Sequence, residues 1–249
     1  MCPFSSLKLF FHKTDTIISN FIWNKKTPRI RKQFLQRPKA RGGLALPNLR
    51  FYYWATNLRI IQSWLQSDSQ HSLPVWLERE AASCSPVSLS ALAHSPIKTP
   101  SSAYTKNVIV KASLNIWNQF RRFFDLQTYS TLAPLTANHV FPPSLVDGAF
   151  TIWFNQGIKT FKDLYNTFAS FQQLSDTFAL PRQHFFRYLQ IRSFVRFLQF
   201  PNHPADSPLD TLLRPLPTLK GMMTCIYAQI YSLRLVTLNS IKSLWEIDL

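Results

Sequence analysis

Leu9-Phe10-Phe11-His12-Lys13-Thr14-Asp15-Thr16-Ile17-Ile18-Ser19-Asn20-Phe21-Ile22-Trp23 is the stretch that sets the fold class. Phe10, Thr14, Ile17, Ile18, Phe21 and Ile22 recur at three- and four-residue steps, which predicts one apolar face of an amphipathic helix. Pro28 ends or restarts that helix. A second helical pattern opens after Pro47, with Asn48 as its cap, and carries Tyr52, Ala55, Arg59, Trp64 and Leu65 to Gln66. Pro74 opens a short third helix through Val75, Trp76 and Leu77 to Ala82.

Further along, residues 83–103 are rich in Ser and Pro and are expected to form a linker, with Leu89 and Leu92 adding a helical turn. Val108, Ala112, Ile116, Phe120 and Phe123 then repeat at helical spacing. Residues 150–154 are expected to form a short strand, and Thr160 to cap a helix over 161–165. Ser170 starts another helix with Phe171, Leu174 and Phe178 inward. After Pro181, a buried stripe is expected at Phe185, Phe186, Leu189, Phe194 and Phe197, with Arg182, Arg187, Arg192 and Arg196 on the opposite, basic face. Residues 219–249 read as one or two more helices. The expected fold is mainly α: a helical bundle over 1–82, the linker over 83–103, and a second helical subdomain over 104–249.

A hydrophobic fraction of 46%, with 21 Phe and 7 Trp, excludes a wholly disordered chain. Only 5 Gly accompany 17 Pro, which suits helices joined by stiff loops better than hairpins. The net charge is +16, and residues 1–50 contribute +10 of it through eleven cations against Asp15. Such a surplus points to a polyanionic partner near the N-terminal end. Cys2, Cys84 and Cys225 form no C-x-x-C, so neither a disulfide framework nor a zinc ribbon is expected. No apolar run approaches the roughly 18 residues of a membrane span, and residues 1–11 make no signal peptide. The expectation is an intracellular protein of nucleus or cytoplasm, without a membrane partner.

Catalytic signals are missing. Two-metal chemistry needs paired carboxylates, and the nearest pairs are Glu78/Glu80, Asp206/Asp210 and Glu246/Asp248, each read as solvated surface. No histidine stands at metal-ligand spacing, and Gly42-Gly43 lacks the Lys-Ser/Thr of a phosphate-binding loop. No catalytic residue, metal or cofactor is expected.

Residues 25–41 carry eight cations and no acid, between Trp23 on one side and Tyr52, Tyr53 and Trp54 on the other. Cations neutralise phosphates and aromatics stack on bases, the combination of a backbone-tracking nucleic-acid binder. A solvated charge run beside core aromatics has the same composition. The candidate phosphate contacts are Lys25, Lys26, Arg29, Arg31, Lys32, Lys39 and Arg41, with Gly42 and Gly43 offering backbone amides. Arg187, Arg192 and Arg196 form a second candidate face, and Trp23 and Tyr52 are assigned to the core.

The strings Phe21-Ile22-Trp23-Asn24-Lys25-Lys26, Pro28-Arg29-Ile30, Gly42-Gly43-Leu44-Ala45-Leu46-Pro47-Asn48-Leu49 and Tyr52-Tyr53-Trp54-Ala55 together resemble the thumb of LINE-type (non-LTR) retrotransposon reverse transcriptases. Weaker similarity to fish-like members continues through Ile116-Trp117, Gly157-Ile158, Phe161, Asp163-Leu164, Phe186-Arg187-Tyr188-Leu189 and Trp245-Glu246. The resemblance implies a fragment holding the thumb-like bundle and post-thumb region, with the catalytic Ala-Asp-Asp loop of the palm outside it. It implies no catalysis and non-specific binding of RNA, DNA or an RNA–DNA hybrid as template–primer. A further implied partner is the palm of a full-length polyprotein, facing Phe10, Ile17 and Phe21. An active RNA-directed DNA polymerase and an inactive, poorly folded remnant are the competing readings.

Overall fold

The computed structural model describes residues 3–67, 73–97, 103–165, 170–198, 208–214 and 221–245. They are mainly helical, as expected: α1 Pro3–Ile22, α2 Lys32–Leu35, α3 Leu49–Ser67, α4 Val75–Ala82, α5 Leu89–His94, α6 Val108–Phe123, α7 Pro143–Val146, α8 Phe150–Asn155, α9 Lys162–Tyr165, α10 Phe171–Phe178, α11 Phe185–Phe197, α12 Pro208–Leu213 and α13 Met222–Trp245. Among the described residues no strand forms, and extended pairing is confined to a bridge between Pro134 and Thr160. The chain divides into two compact units, residues 1–55 and 56–249.

In the first unit the single apolar face expected of α1 splits into two. Phe11 is buried and Ile18 and Ile22 are half-buried, whereas Phe10, Ile17 and Phe21 are 57%, 67% and 87% exposed. Each exposed residue immediately precedes a packed one, about 100° around the helix, so one periodicity conceals two stripes. The Phe11 ring meets Tyr53 edge-on at 5.6 Å. Asn48 caps α3 as expected, its Oδ1 accepting the N–H groups of Arg50 (3.1 Å) and Phe51 (3.3 Å). Tyr52 is exposed, which corrects its assignment to the core.

In the second unit an aromatic-rich core gathers Phe141, Phe150, Trp153, Phe161, Leu174 and Ile191, among others. The Phe141 ring alone meets Phe150, Phe161 and Phe194 at 5.0–5.7 Å. Residues 150–154 are helical, not a strand: Phe150 and Trp153, three apart, enter this core together. At Thr160, the expected cap of α9, the side-chain hydrogen bond runs to its backbone N–H, as in one half of a capping box. Asp163 reaches back from the first turn, and its Oδ2 accepts the N–H groups of Lys159 (2.9 Å) and Thr160 (2.8 Å). Ser170 does cap α10, through the N–H of Gln173 at 3.4 Å.

Residues 83–97, expected within a linker, pack into the second unit. All six residues of α5 are buried, Ser88 caps it by accepting the Ala91 N–H (3.0 Å), and Trp117 Nε1 donates to Ala93 O (2.7 Å). Ser here serves as a helix cap, not a solvated tether. Residues 98–102 of that segment lie outside the described residues. In α6 the buried stripe runs through Val110, Leu114, Trp117 and Phe120, because Asn107 caps the helix and Val108 and Phe123 point to solvent. Glu80 and Asp210, expected on the surface, are buried: Glu80 accepts Trp64 Nε1 (2.8 Å) and Asp210 accepts the Ser130 hydroxyl. The rest of those acid pairs divides: Glu78 is exposed, while Asp206, Glu246 and Asp248 lie outside the described residues.

His94, at the end of α5, gives the unit a pH dependence. Its Nδ1 lies 2.8 Å from Ser90 O, the geometry of a donated proton, and its Nε2 is buried without a partner. Burial is the chief reason its pKa falls to about 4, and the Arg121 charge lowers it further, against Ser90 and Asp210. A depressed histidine stabilises the fold above its unfolded pKa of about 6.5, and that stability is lost as pH falls from there toward 4. Up to about 3 kcal/mol is at stake. Urea midpoints at pH 7 and pH 4.5 should therefore differ more for the native chain than for His94→Leu. Equal differences would remove His94 from the acid response.

Candidate nucleic-acid interface

The basic connector begins where α1 is brought to a stop. Asn24 and Lys25 both take left-handed backbone conformations, with φ of 47° and 60°. The Lys25 N–H reaches back to Asn20 O at 2.9 Å, the six-residue closure of a Schellman motif, with Asn in the position usually held by glycine. The Lys26 N–H then bonds Trp23 O at 2.9 Å. This reversal directs the chain away from the helix axis and leaves the Lys25 and Lys26 side chains exposed.

Arg29, Arg31 and Lys39 are exposed as well. Lys32 differs: its ammonium is paired with the Asp15 carboxylate, and both side chains are partly exposed. Asp15 is the one acid in residues 1–55, so the remaining cations face no carboxylate from their own unit. Arg37 is half-buried, with its guanidinium 4.2 Å from the centre of the Phe34 ring. The side chain of Arg41 lies outside the described residues.

Gly42 and Gly43 do not offer free amides to a phosphate, contrary to expectation. The Gly42 N–H bonds Lys39 O (3.0 Å) and the Gly43 N–H bonds Pro38 O (3.2 Å). Both glycines have a conformational job instead. Gly42 is left-handed at φ 75°, and a Cβ on Gly43 would sit 2.1 Å from Arg37 O. The turn they permit returns the chain to α2, where the N–H groups of Leu44 and Leu46 both bond Leu35 O. Beneath the connector lies a cavity of about 300 Å³, lined by Ile18, Ile22, Trp23, Leu35 and Leu46, with Arg29 and Arg31 also contributing. Trp23 is thus half-buried against the connector.

The second candidate face also changes on folding. Arg187 is committed to Asp147 through a forked pair, Nε to Oδ2 at 2.6 Å and a terminal nitrogen to Oδ1 at 3.1 Å. That hydrogen bonding holds the Asp147 carboxyl below the usual carboxylate range. Arg192 and Arg196 are exposed, and they do not oppose the aromatics. Tyr188 and Ile191 are the buried residues of α11, while Phe185, Phe186, Leu189 and Phe197, expected in the core, share the exposed side with the two arginines.

Among the described residues no three His, Cys, Asp or Glu side chains gather as a metal site. Among the described residues the nearest approach to a nucleophile–base pair, undetectable from sequence, is Ser95 Oγ at 3.0 Å from His139 Nε2. Burial lowers the pKa of His139 to about 4, and its Nδ1 has no hydrogen-bond partner. A working base is oriented by a third group at that nitrogen. Ser95 Oγ, moreover, also bonds Ala91 O at 3.1 Å. Among the described residues, no helix is long and apolar enough to cross a membrane. No protein-family model matches the chain, and no solved structure matches it.

Proposed function

We propose that this chain grips nucleic acid through its phosphates, without sequence preference, using the connector over residues 25–41. On this reading it is the thumb and post-thumb part of a LINE-type reverse transcriptase, holding template–primer inside the cell. Its contribution is binding, and the polymerisation chemistry belongs to a palm. The observation that carries the reading is the set of exposed side chains Lys25, Lys26, Arg29, Arg31 and Lys39, on a unit whose single acid is already paired with Lys32. Unneutralised cations on one short segment displace counterions from a phosphate backbone, which is the main source of non-specific affinity. Such contacts position a duplex and carry no base information. RNA, DNA and their hybrid therefore all qualify as ligands.

A salt series tests this. Fluorescence anisotropy of a labelled RNA–DNA hybrid should give a logarithmic slope of roughly −4 to −5 against salt, for five phosphate contacts. Two hybrids of unrelated sequence should bind alike. A flat salt response, or no binding at about 50 mM salt, would sink the proposal.

A further inference from the structure

Residues 182–197 contain four arginines and no carboxylate. Arg187 is held by Asp147, so Arg182, Arg192 and Arg196 remain exposed. On the same open side of α11, Phe186 is 75% exposed and Phe197 is 80% exposed. The two rings are eleven residues apart, close to three helical turns, and so lie nearly in line and about 16 Å apart along the axis. Arg192 and Arg196 come between them in sequence. The helix is anchored from behind by Tyr188 and Ile191, which fixes this face outward.

Two flat apolar rings flanked by guanidinium groups on one open helix side require a partner that offers both flat faces and negative charges. A second copy of the chain would set arginine against arginine. A duplex supplies the charges, but its base faces are already stacked on one another. A single strand supplies both, since every unpaired base has a π-face and every linkage a phosphate. We infer that the exposed face of α11 is a stacking platform for single-stranded nucleic acid, with Phe186 and Phe197 receiving bases and Arg192 and Arg196 the phosphates. This site lies in the second unit and uses no residue of the connector.

The test compares a fluorescein-labelled 12-nucleotide oligo(dT) with a 12-base-pair duplex on the full chain. Phe186→Leu and Phe197→Leu keep the apolar bulk and remove the ring, at positions exposed enough to leave the fold intact. Each should weaken oligo(dT) binding about tenfold and leave duplex binding within about twofold, because no base face is offered there. Arg192→Gln with Arg196→Gln should lower oligo(dT) affinity and its salt dependence together. Repeating the phenylalanine comparison with Lys25, Lys26, Arg29 and Arg31 all reversed to glutamate separates this inference from the connector proposal. Unchanged oligo(dT) affinity in the Leu variants would overturn it. So would an equal loss on both probes.

Discussion

Reversing Lys25, Lys26, Arg29 and Arg31 to glutamate should shift the salt-dependence slope of hybrid binding by roughly three to four units and lower affinity about a hundredfold or more. Each neutralised phosphate releases about 0.9 counterion on B-DNA, so the change in slope measures how many phosphates the connector had engaged. All four side chains are exposed, and none of them holds an ion pair with the unit's one carboxylate. The variant should therefore keep its helical circular dichroism, and the weakening should reflect the missing cations rather than unfolding. Single reversals should each move the slope by about one unit. Asp15→Asn should act in the opposite sense, since it releases Lys32 to the ligand. A variant that keeps the native slope would show that the connector is a solvated face and that the anion is held elsewhere.

Arg121→Ala should be the most damaging single substitution in the second unit. The Arg121 side chain is fully buried on α6. Its Nε donates to Leu126 O (3.0 Å) and one terminal nitrogen to Ser95 O (2.6 Å); the other reaches Thr128 O (3.5 Å). One guanidinium thus ties the end of α5 to the loop that follows α6. Burial lowers its pKa to about 10, which still leaves it charged at neutral pH. The neighbours are carbonyl dipoles, and the geometry of three acceptors suits the planar fork of arginine better than any other side chain. Truncation to alanine deprives those carbonyls of their donor and opens a cavity beside Trp117. Together these cost about 4–6 kcal/mol, a large share of a domain's whole stability. Arg121→Met should recover the volume and not the hydrogen bonds, and so fall between. Thermal unfolding read by circular dichroism checks the order. A native-like midpoint for Arg121→Ala would mean that water replaces the guanidinium and that the site is not closed.

Two helix starts marked by a polar cap were legible from sequence. Asn48 and Ser170 are read correctly because their side chains have a local task that residue type discloses. The exposed cations of the connector were legible for a similar reason, since charge without acid has little alternative to the surface. Which face of a helix turns inward was not legible for α1, α6 or α11. Each carries large apolar residues on more than one side, and periodicity reports that a stripe exists without saying which stripe meets a neighbour. For residues 150–154 the aromatic and β-branched side chains suggested a strand, but Phe150 and Trp153 pack at helical spacing into a core assembled from distant segments. The roles of Gly42 and Gly43 depended on the Arg37 backbone passing close by, a contact that residue identity does not reveal. Arg187 was lost from the candidate interface in the same way, to an aspartate forty residues earlier in the chain.

The second stripe of α1 has a bearing on how this protein behaves in a test tube. Phe10, Ile17 and Phe21 project from a unit whose net charge is +10 over its first fifty residues. At low ionic strength, like-charge repulsion between molecules holds these greasy strips apart. Concentrated salt shortens the Debye length to about 3 Å at 1 M and removes that repulsion, while apolar contact is left intact or strengthened. The usual wash for stripping nucleic acid from a basic protein is therefore also the condition that invites this one to clump. Its colloidal stability and its freedom from bound nucleic acid pull the choice of buffer in opposite directions.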